Sequence, residues 1–131
     1  MERSTRQRQA IRAVLEEIDR PLSPQEVLSA AQHKVPGLGI ATVYRTLKGM
    51  VEEGMAVAVE LPGNPPRYER SGKKHHHHFH CIACGKAFEL EGCPGDFAFM
   101  APRGFQTQGH EIVLYGRCAE CCQRNPGATT P

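Results

Sequence analysis

The chain has 131 residues, 40% of them hydrophobic, and a formal net charge of +2. That length makes one domain or two small ones, and no apolar stretch approaches the roughly 20 residues that span a bilayer. Met1-Glu2-Arg3-Ser4-Thr5-Arg6 lacks the apolar core of a secretory signal, so a cytoplasmic protein with no membrane partner is expected. All 6 cysteines and all but one of the 7 histidines lie from His75 onward, so metal chemistry belongs to the second half. In a reducing cytosol, paired cysteines hold metal or do redox chemistry more often than they form structural disulfides. Over residues 1–50, Lys and Arg outnumber Asp and Glu, with Arg3, Arg6, Arg8 and Arg12 crowded at the start. Charge alone leaves a nucleic-acid face and an ordinary solvated helix surface equally open.

In chain order, Ile11, Val14, Leu15 and Ile18 recur at helical spacing and predict a first helix from about Thr5 to Ile18, with the arginines on its polar face. Ser23-Pro24-Gln25-Glu26 is a capping box with proline at the first helical position, flanked by Leu22 and Val27 as a hydrophobic staple. A second helix follows, ending near Gln32. After Pro36-Gly37-Leu38-Gly39, Val43, Leu47, Met50 and Val51 mark the buried face of a third helix that Gly54 stops. Two short strands come next, Ala56 to Leu61 and Arg67 to Arg70, joined by Pro62-Gly63-Asn64-Pro65-Pro66.

Three helices followed by a hairpin is the order of a winged helix-turn-helix. There the third helix enters the major groove, so Thr42, Tyr44, Arg45 and Lys48 are candidate contacts to phosphates and base edges. On pattern alone a dimerisation module competes with this reading, with Tyr44 covering the core edge and Arg45 pairing with a carboxylate. From Ser71 the pattern shifts to short strands at Phe79 to Ile82, Lys86 to Leu90 and Gly109 to Tyr115, with one short helix from Pro94 to Met100. This half is poor in bulky apolar residues, and such small units often need a metal or a partner chain.

Cys81-x-x-Cys84 and Cys118-x-x-Cys121 each have the spacing that lets two sulfurs reach one tetrahedral ion, and four thiolates favour a closed structural zinc site. Disulfides and a thioredoxin-like redox motif are the rivals. The second lacks a βαβ context around either pair. Cys93 and Cys122 are left over, Cys122 as a bystander and Cys93 as a buried residue or an extra ligand. If the histidine run is extended, His76, His78 and His80 share one face while His75 and His77 share the other, so adjacent histidines can serve two separate sites. A solvated loop that binds metal as a purification tag does is the bland alternative.

Several stretches together resemble the ferric uptake regulator family, dimeric metal-responsive repressors, over nearly the whole chain. They are Gly39-Ile40-Ala41-Thr42-Val43-Tyr44-Arg45-Thr46-Leu47, Arg67-Tyr68-Glu69, His75 to His78, Cys81-x-x-Cys84-Gly85, and His110 ahead of Tyr115-Gly116-Arg117-Cys118-x-x-Cys121. The resemblance implies an α+β fold: an N-terminal winged helix-turn-helix DNA-binding domain, residues 1–71, plus a small C-terminal α/β dimerisation domain with structural zinc. The second domain spans residues 72–131 and ends in a disordered tail. The structural zinc would be held by Cys81, Cys84, Cys118 and Cys121. The resemblance further implies a regulatory hinge site of Glu69, His76, His78 and Glu89, and an additional metal site of His75, His77, Asp96 and His110.

Within the family, Cys81-Ile82-Ala83-Cys84-Gly85-Lys86, Glu91-Gly92-Cys93-Pro94 and the Pro36-Gly37-Leu38 lead-in look most like the zinc uptake regulator branch. Pro21 stands where iron- and peroxide-responsive members usually place a histidine, with His33 the nearby substitute. Zinc-sensing relatives often use a cysteine near Glu69, and this wing has none. The function implied is a homodimeric, zinc-responsive repressor of double-stranded operator DNA that controls zinc uptake, with zinc as corepressor and no small organic substrate. An iron, manganese or peroxide signal is the alternative within the same family. A zinc hydrolase lacks an HExxH helix and an evident general base. A zinc buffer or metallochaperone leaves the helix-turn-helix without a purpose.

Overall fold

A computed structural model describes residues 2–124. The chain divides into two compact units, Met1–Lys73 and Lys74–Pro131, against an expected boundary after residue 71. The expected disordered tail falls on residues 125–131, outside the described residues.

In the first unit, α1 (Glu2–Glu17) buries Ile11, Val14 and Leu15, while α2 (Pro24–Ala31) buries Val27 and Ala31. The capping box forms in full. Ser23 Oγ accepts from the Glu26 amide at 3.1 Å, and Glu26 Oε1 accepts from the Ser23 amide at 3.0 Å. Arg20 Nη2 donates to the other carboxylate oxygen at 2.7 Å. Burial raises the pKa of Glu26, but the Ser23 amide and the Arg20 guanidinium together hold it below the ordinary carboxylate value of 4.5.

The third helix, α3 (Ile40–Glu52), buries Val43, Leu47 and Met50 against the same core. Each fully buried side chain of this size contributes about 1.5–3 kcal/mol relative to exposure. Val51, expected on that face, is 36% exposed. At about 100° per residue it lies some 80° around from Val43, at the rim of the stripe. Beyond Glu52 the helix ends in a Schellman motif: the Gly54 amide bonds Val51 O at 3.1 Å and the Met55 amide bonds Met50 O at 2.8 Å. Gly54 has φ 77, in the left-handed region that glycine enters without Cβ strain.

The wing pairs β1 (Ala56–Val59) antiparallel with β2 (Arg67–Arg70), Val57 opposite Glu69 and Ala58 opposite Tyr68. Leu22 bonds Tyr68 in both directions, at 2.9 and 2.8 Å, and adds a third short rung.

The second unit is a three-stranded sheet in the order β4-β3-β5. Its strands are β3 (His77–Cys81), antiparallel β4 (Ala87–Leu90) and β5 (Val113–Gly116), which runs parallel to β3. A six-residue helix, α4 (Ala119–Arg124), follows, which the cysteine spacing does not predict. The expected helix from Pro94 to Met100 reduces to one 3-10 turn, Ala98–Met100. Pro94 and Gly95 oppose helix there, and Phe97 sits at φ 56, outside helical space. Among the described residues, those buried in this unit are His77, Cys81, Ala87 and Cys121, two of them thiols.

Candidate metal centres and nucleic-acid face

The two Cys-x-x-Cys pairs meet. Sγ of Cys81 lies 3.7 Å from that of Cys121, and Sγ of Cys84 lies 3.9 Å from that of Cys118. A tetrahedron with metal–sulfur bonds of about 2.3 Å has sulfur–sulfur edges of about 3.8 Å, so these two edges match zinc spacing, and all four sulfurs lie within 4.8 Å of one another. Local sequence builds this. Gly85, at φ 81, turns the first knuckle and donates to Cys81 O at 2.8 Å, while α4 carries Cys121 one turn beyond Cys118. Burial favours the neutral thiol of Cys81, but the Cys84 and Cys118 amides donate to its sulfur at 3.4 and 3.3 Å and bring the pKa down to about 6. Cys121 is pushed up to about 12, chiefly by the Cys118 sulfur and then by burial. Four thiols packed this way hold one thiolate readily and four only around a cation.

A second cluster uses the other face of the histidine run. His75, His77, Cys93 and His110 place one donor atom each within 4.8 Å of the others. Nε2 of His75 is 3.2 Å from Nε2 of His110, and Sγ of Cys93 is 3.0 Å from Nε2 of His110 and 3.3 Å from Nε2 of His77. Burial first, then the neighbouring His75 and His110, lowers the pKa of His77 below 6.5 and keeps its ring in the neutral, ligating form. Asp96, the fourth ligand implied by the family resemblance, is not among these converging donors. It borders a cavity of about 320 Å³ together with His75 and His110, but its Oδ1 accepts from the Ala98 amide at 3.0 Å. That bond closes a tight turn ahead of Ala98–Met100, and the fourth donor atom in the cluster comes from Cys93 rather than Asp96.

On the opposite face, the His76 and His78 rings lie 4.9 Å apart. Nδ1 of His76 donates to Lys74 O at 2.7 Å, which leaves Nε2 as the ligating nitrogen, 3.7 Å from Glu89 Oε1. Glu89 sits opposite His78 in the β3–β4 register. Glu69, the remaining residue of the implied regulatory set, belongs to the first unit, where Lys73 Nζ stands 3.6 Å from its Oε2 and 2.7 Å from Asp19 Oδ1. His80 stacks edge-on toward Tyr115, with ring centres 6.2 Å apart. His33 is exposed, with its Nδ1 3.3 Å from Ser29 O, and Cys122 donates to Arg117 O at 3.6 Å.

On α3, Tyr44, Arg45 and Lys48 are exposed and Thr42 is half-buried, with Arg45 Nη2 donating to Thr42 Oγ1 at 3.2 Å. The exposed face of α3 thus presents a polar, cationic ridge, the form a recognition helix takes. On α1 part of the basic charge is already balanced, since Arg8 pairs with Glu53 and Arg12 with Glu16. No helix among the described residues is long and apolar enough to cross a membrane.

Comparison with known proteins agrees with this arrangement. The model of the Ferric uptake regulator family matches residues 2–115. The ferric uptake regulation protein of Campylobacter jejuni is 34% identical over 122 residues, 89% of this chain and 78% of that protein. The zinc uptake regulation protein of Mycobacterium tuberculosis is 34% identical over 126 residues, 91% of this chain and 94% of that one. Among solved structures, the Helicobacter pylori ferric uptake regulator, described as having three functional metal-binding sites, superposes with a TM-score of 0.71 at 28% identity, covering 88% of this chain and 79% of that one. Regulators of this family bind DNA and form dimers; they are not enzymes. With a winged helix ahead of a Cys/His-rich α+β unit, the chain belongs to the ferric uptake regulator family and is a metal-responsive transcriptional regulator.

Proposed function

We propose that the chain is a zinc-responsive repressor that binds operator DNA as a homodimer with zinc as corepressor, and that it controls zinc uptake. The carrying observation is the donor chemistry: four thiols within 4.8 Å of one another beside a second cluster of three imidazoles and a thiol. Nitrogen and sulfur donors of this kind suit zinc at these two sites, and the metal read as the signal is assigned by likeness to a relative. The likeness to the Mycobacterium tuberculosis zinc uptake regulation protein, over 94% of its length, supports the same metal.

In this reading the four-cysteine site is structural, and the signal is read by Glu69, His76, His78 and Glu89. An ion binds best to the state in which all four ligands reach it, so metal shifts the population toward that state. If that is also the state in which two recognition helices match successive turns of the major groove, metal raises operator affinity. Thr42, Tyr44, Arg45 and Lys48 then contact the DNA. The test is a mobility shift on candidate operators with protein whose four-cysteine site is filled. Zinc should restore binding at lower free concentration than iron or manganese, and tight binding with every other site stripped would end the corepressor reading.

A further inference from the structure

The geometry points to Cys93 as the fourth ligand of the His75, His77 and His110 site, which makes it a three-histidine, one-thiolate site of the zinc class. This deepens the reading of the chain as a metal-responsive regulator and rests on it. With metal–nitrogen bonds of about 2.0–2.1 Å and a metal–sulfur bond of about 2.3 Å, a tetrahedral ion spaces its donors about 3.3–3.6 Å apart. Three of the six donor separations, 3.0 to 3.3 Å, lie at or just below that range, and all four donor atoms fall within 4.8 Å of one another.

The loop brings the Cys93 sulfur to the histidines and turns one oxygen of Asp96 to its own backbone. Cys93 Sγ turns back over Gly95, donating to its carbonyl at 3.0 Å, while Asp96 Oδ1 accepts from the Ala98 amide. Phe97 holds a left-handed conformation unusual for a side chain of its size, at φ 56, and its ring meets His110 edge-on with centres 5.0 Å apart. Such local strain persists where surrounding contacts over-determine it, and here it sits against a ligand.

Ion entry has a defined proton balance. The dication takes the Cys93 sulfur as thiolate, releasing its proton to solvent. The Ile112 amide donates to His77 Nδ1 at 3.2 Å, so in the neutral ring the proton is on Nε2, facing Cys93. A metal on Nε2 would require that proton on Nδ1, which would end the role of Nδ1 as acceptor from the Ile112 amide. The thiolate also sets selectivity: it favours zinc, cobalt and cuprous ions over manganese, which a carboxylate in its place would favour.

Cobalt(II) separates this site from the others without any DNA readout. With zinc left in the four-cysteine site, added cobalt should give a near-ultraviolet thiolate-to-cobalt charge-transfer band, because neither Glu69, His76, His78 nor Glu89 supplies sulfur. Cys93→Ser should lose that band while keeping one tightly held zinc and a folded chain. Asp96→Ala should keep the band. Absence of the band in the wild type, its persistence in Cys93→Ser, or its loss in Asp96→Ala would overturn the assignment. None of these outcomes depends on whether zinc is the corepressor, so the two readings fail separately.

Discussion

Replacing Cys81 with serine should unfold the second unit while sparing the first. Cys81 is fully buried, stands 3.7 Å from Cys121, and its sulfur receives the amides of both Cys84 and Cys118. The described core of that unit contains little beyond Ala87, His77 and the thiols themselves. Structural zinc in small domains contributes on the order of 10 kcal/mol, comparable to the whole stability of an ordinary domain. A hydroxyl in place of the thiolate leaves three ligands and a buried polar group with two amides aimed at it, so most of that contribution is lost. Zinc content after a chelator wash, read beside a two-dimensional amide spectrum of the full chain, checks this. Signals from the β3–β4–β5 sheet should collapse toward random-coil shifts, while those from Ile11, Val43 and Leu47 stay dispersed. A Cys81→Ser protein that keeps one zinc per chain through the wash, with a dispersed sheet spectrum, would refute the structural assignment.

His76→Ala should give a folded protein with its four-cysteine zinc intact but operator binding that no longer responds to added zinc; loss of folding would show that the partition between structural and sensory ligands is wrong. Lys48→Ala should lower the log–log salt slope of operator binding by about 1 if it neutralises one phosphate. Arg45→Ala should instead cost about 1–3 kcal/mol against the cognate sequence and relax discrimination at one base pair, both measured by binding titrations at several salt concentrations. Glu26→Gln should destabilise the first unit by about 0.5–1 kcal/mol at neutral pH, because glutamine can still accept from the Ser23 amide but loses the charge that pairs with Arg20 and favours a helix start. Because the folded carboxyl titrates below 4.5, its contribution is present above that value and fades as pH falls through the lower folded value. The gap between wild type and variant in chemical denaturation should therefore close in acid, and a gap independent of pH would contradict the role of the charge.

Much of the first unit was legible because its signals are local. Ser23, Pro24 and Glu26 dictate a helix start within four residues, and the spacing of Val43, Leu47 and Met50 dictates a buried face. Val51 lies at the rim because the buried arc of α3 extends no further than Val43, Leu47 and Met50. Cysteine spacing likewise exposed the four-sulfur site, since a knuckle is fixed by three consecutive peptide units. Cys93 was harder. Its place beside His77 and His110 depends on how residues 91–112 fold back to lay β5 parallel to β3, and no short-range pattern encodes a crossover of that length. Nor could spacing reveal that the Asp96 carboxylate would be used in its own turn. The short helix α4 was hidden for a different reason, because metal-ligand spacing explained Cys118 and Cys121 without requiring helical backbone.

The alternation of His75, His76, His77 and His78 has a thermodynamic corollary. Two ligand pairs, with rings 4.6 Å apart on one side and 4.9 Å apart on the other, are threaded on the same few peptide units. An ion gripping one pair narrows the backbone torsions from which the other pair is presented, so the two occupancies share a coupling free energy. By reciprocity, whatever factor the first ion imposes on the affinity for the second, the second imposes on the first. On the proposed assignment of the two sites, metal uptake should therefore be a cooperative or anticooperative function of concentration rather than the sum of two independent titrations.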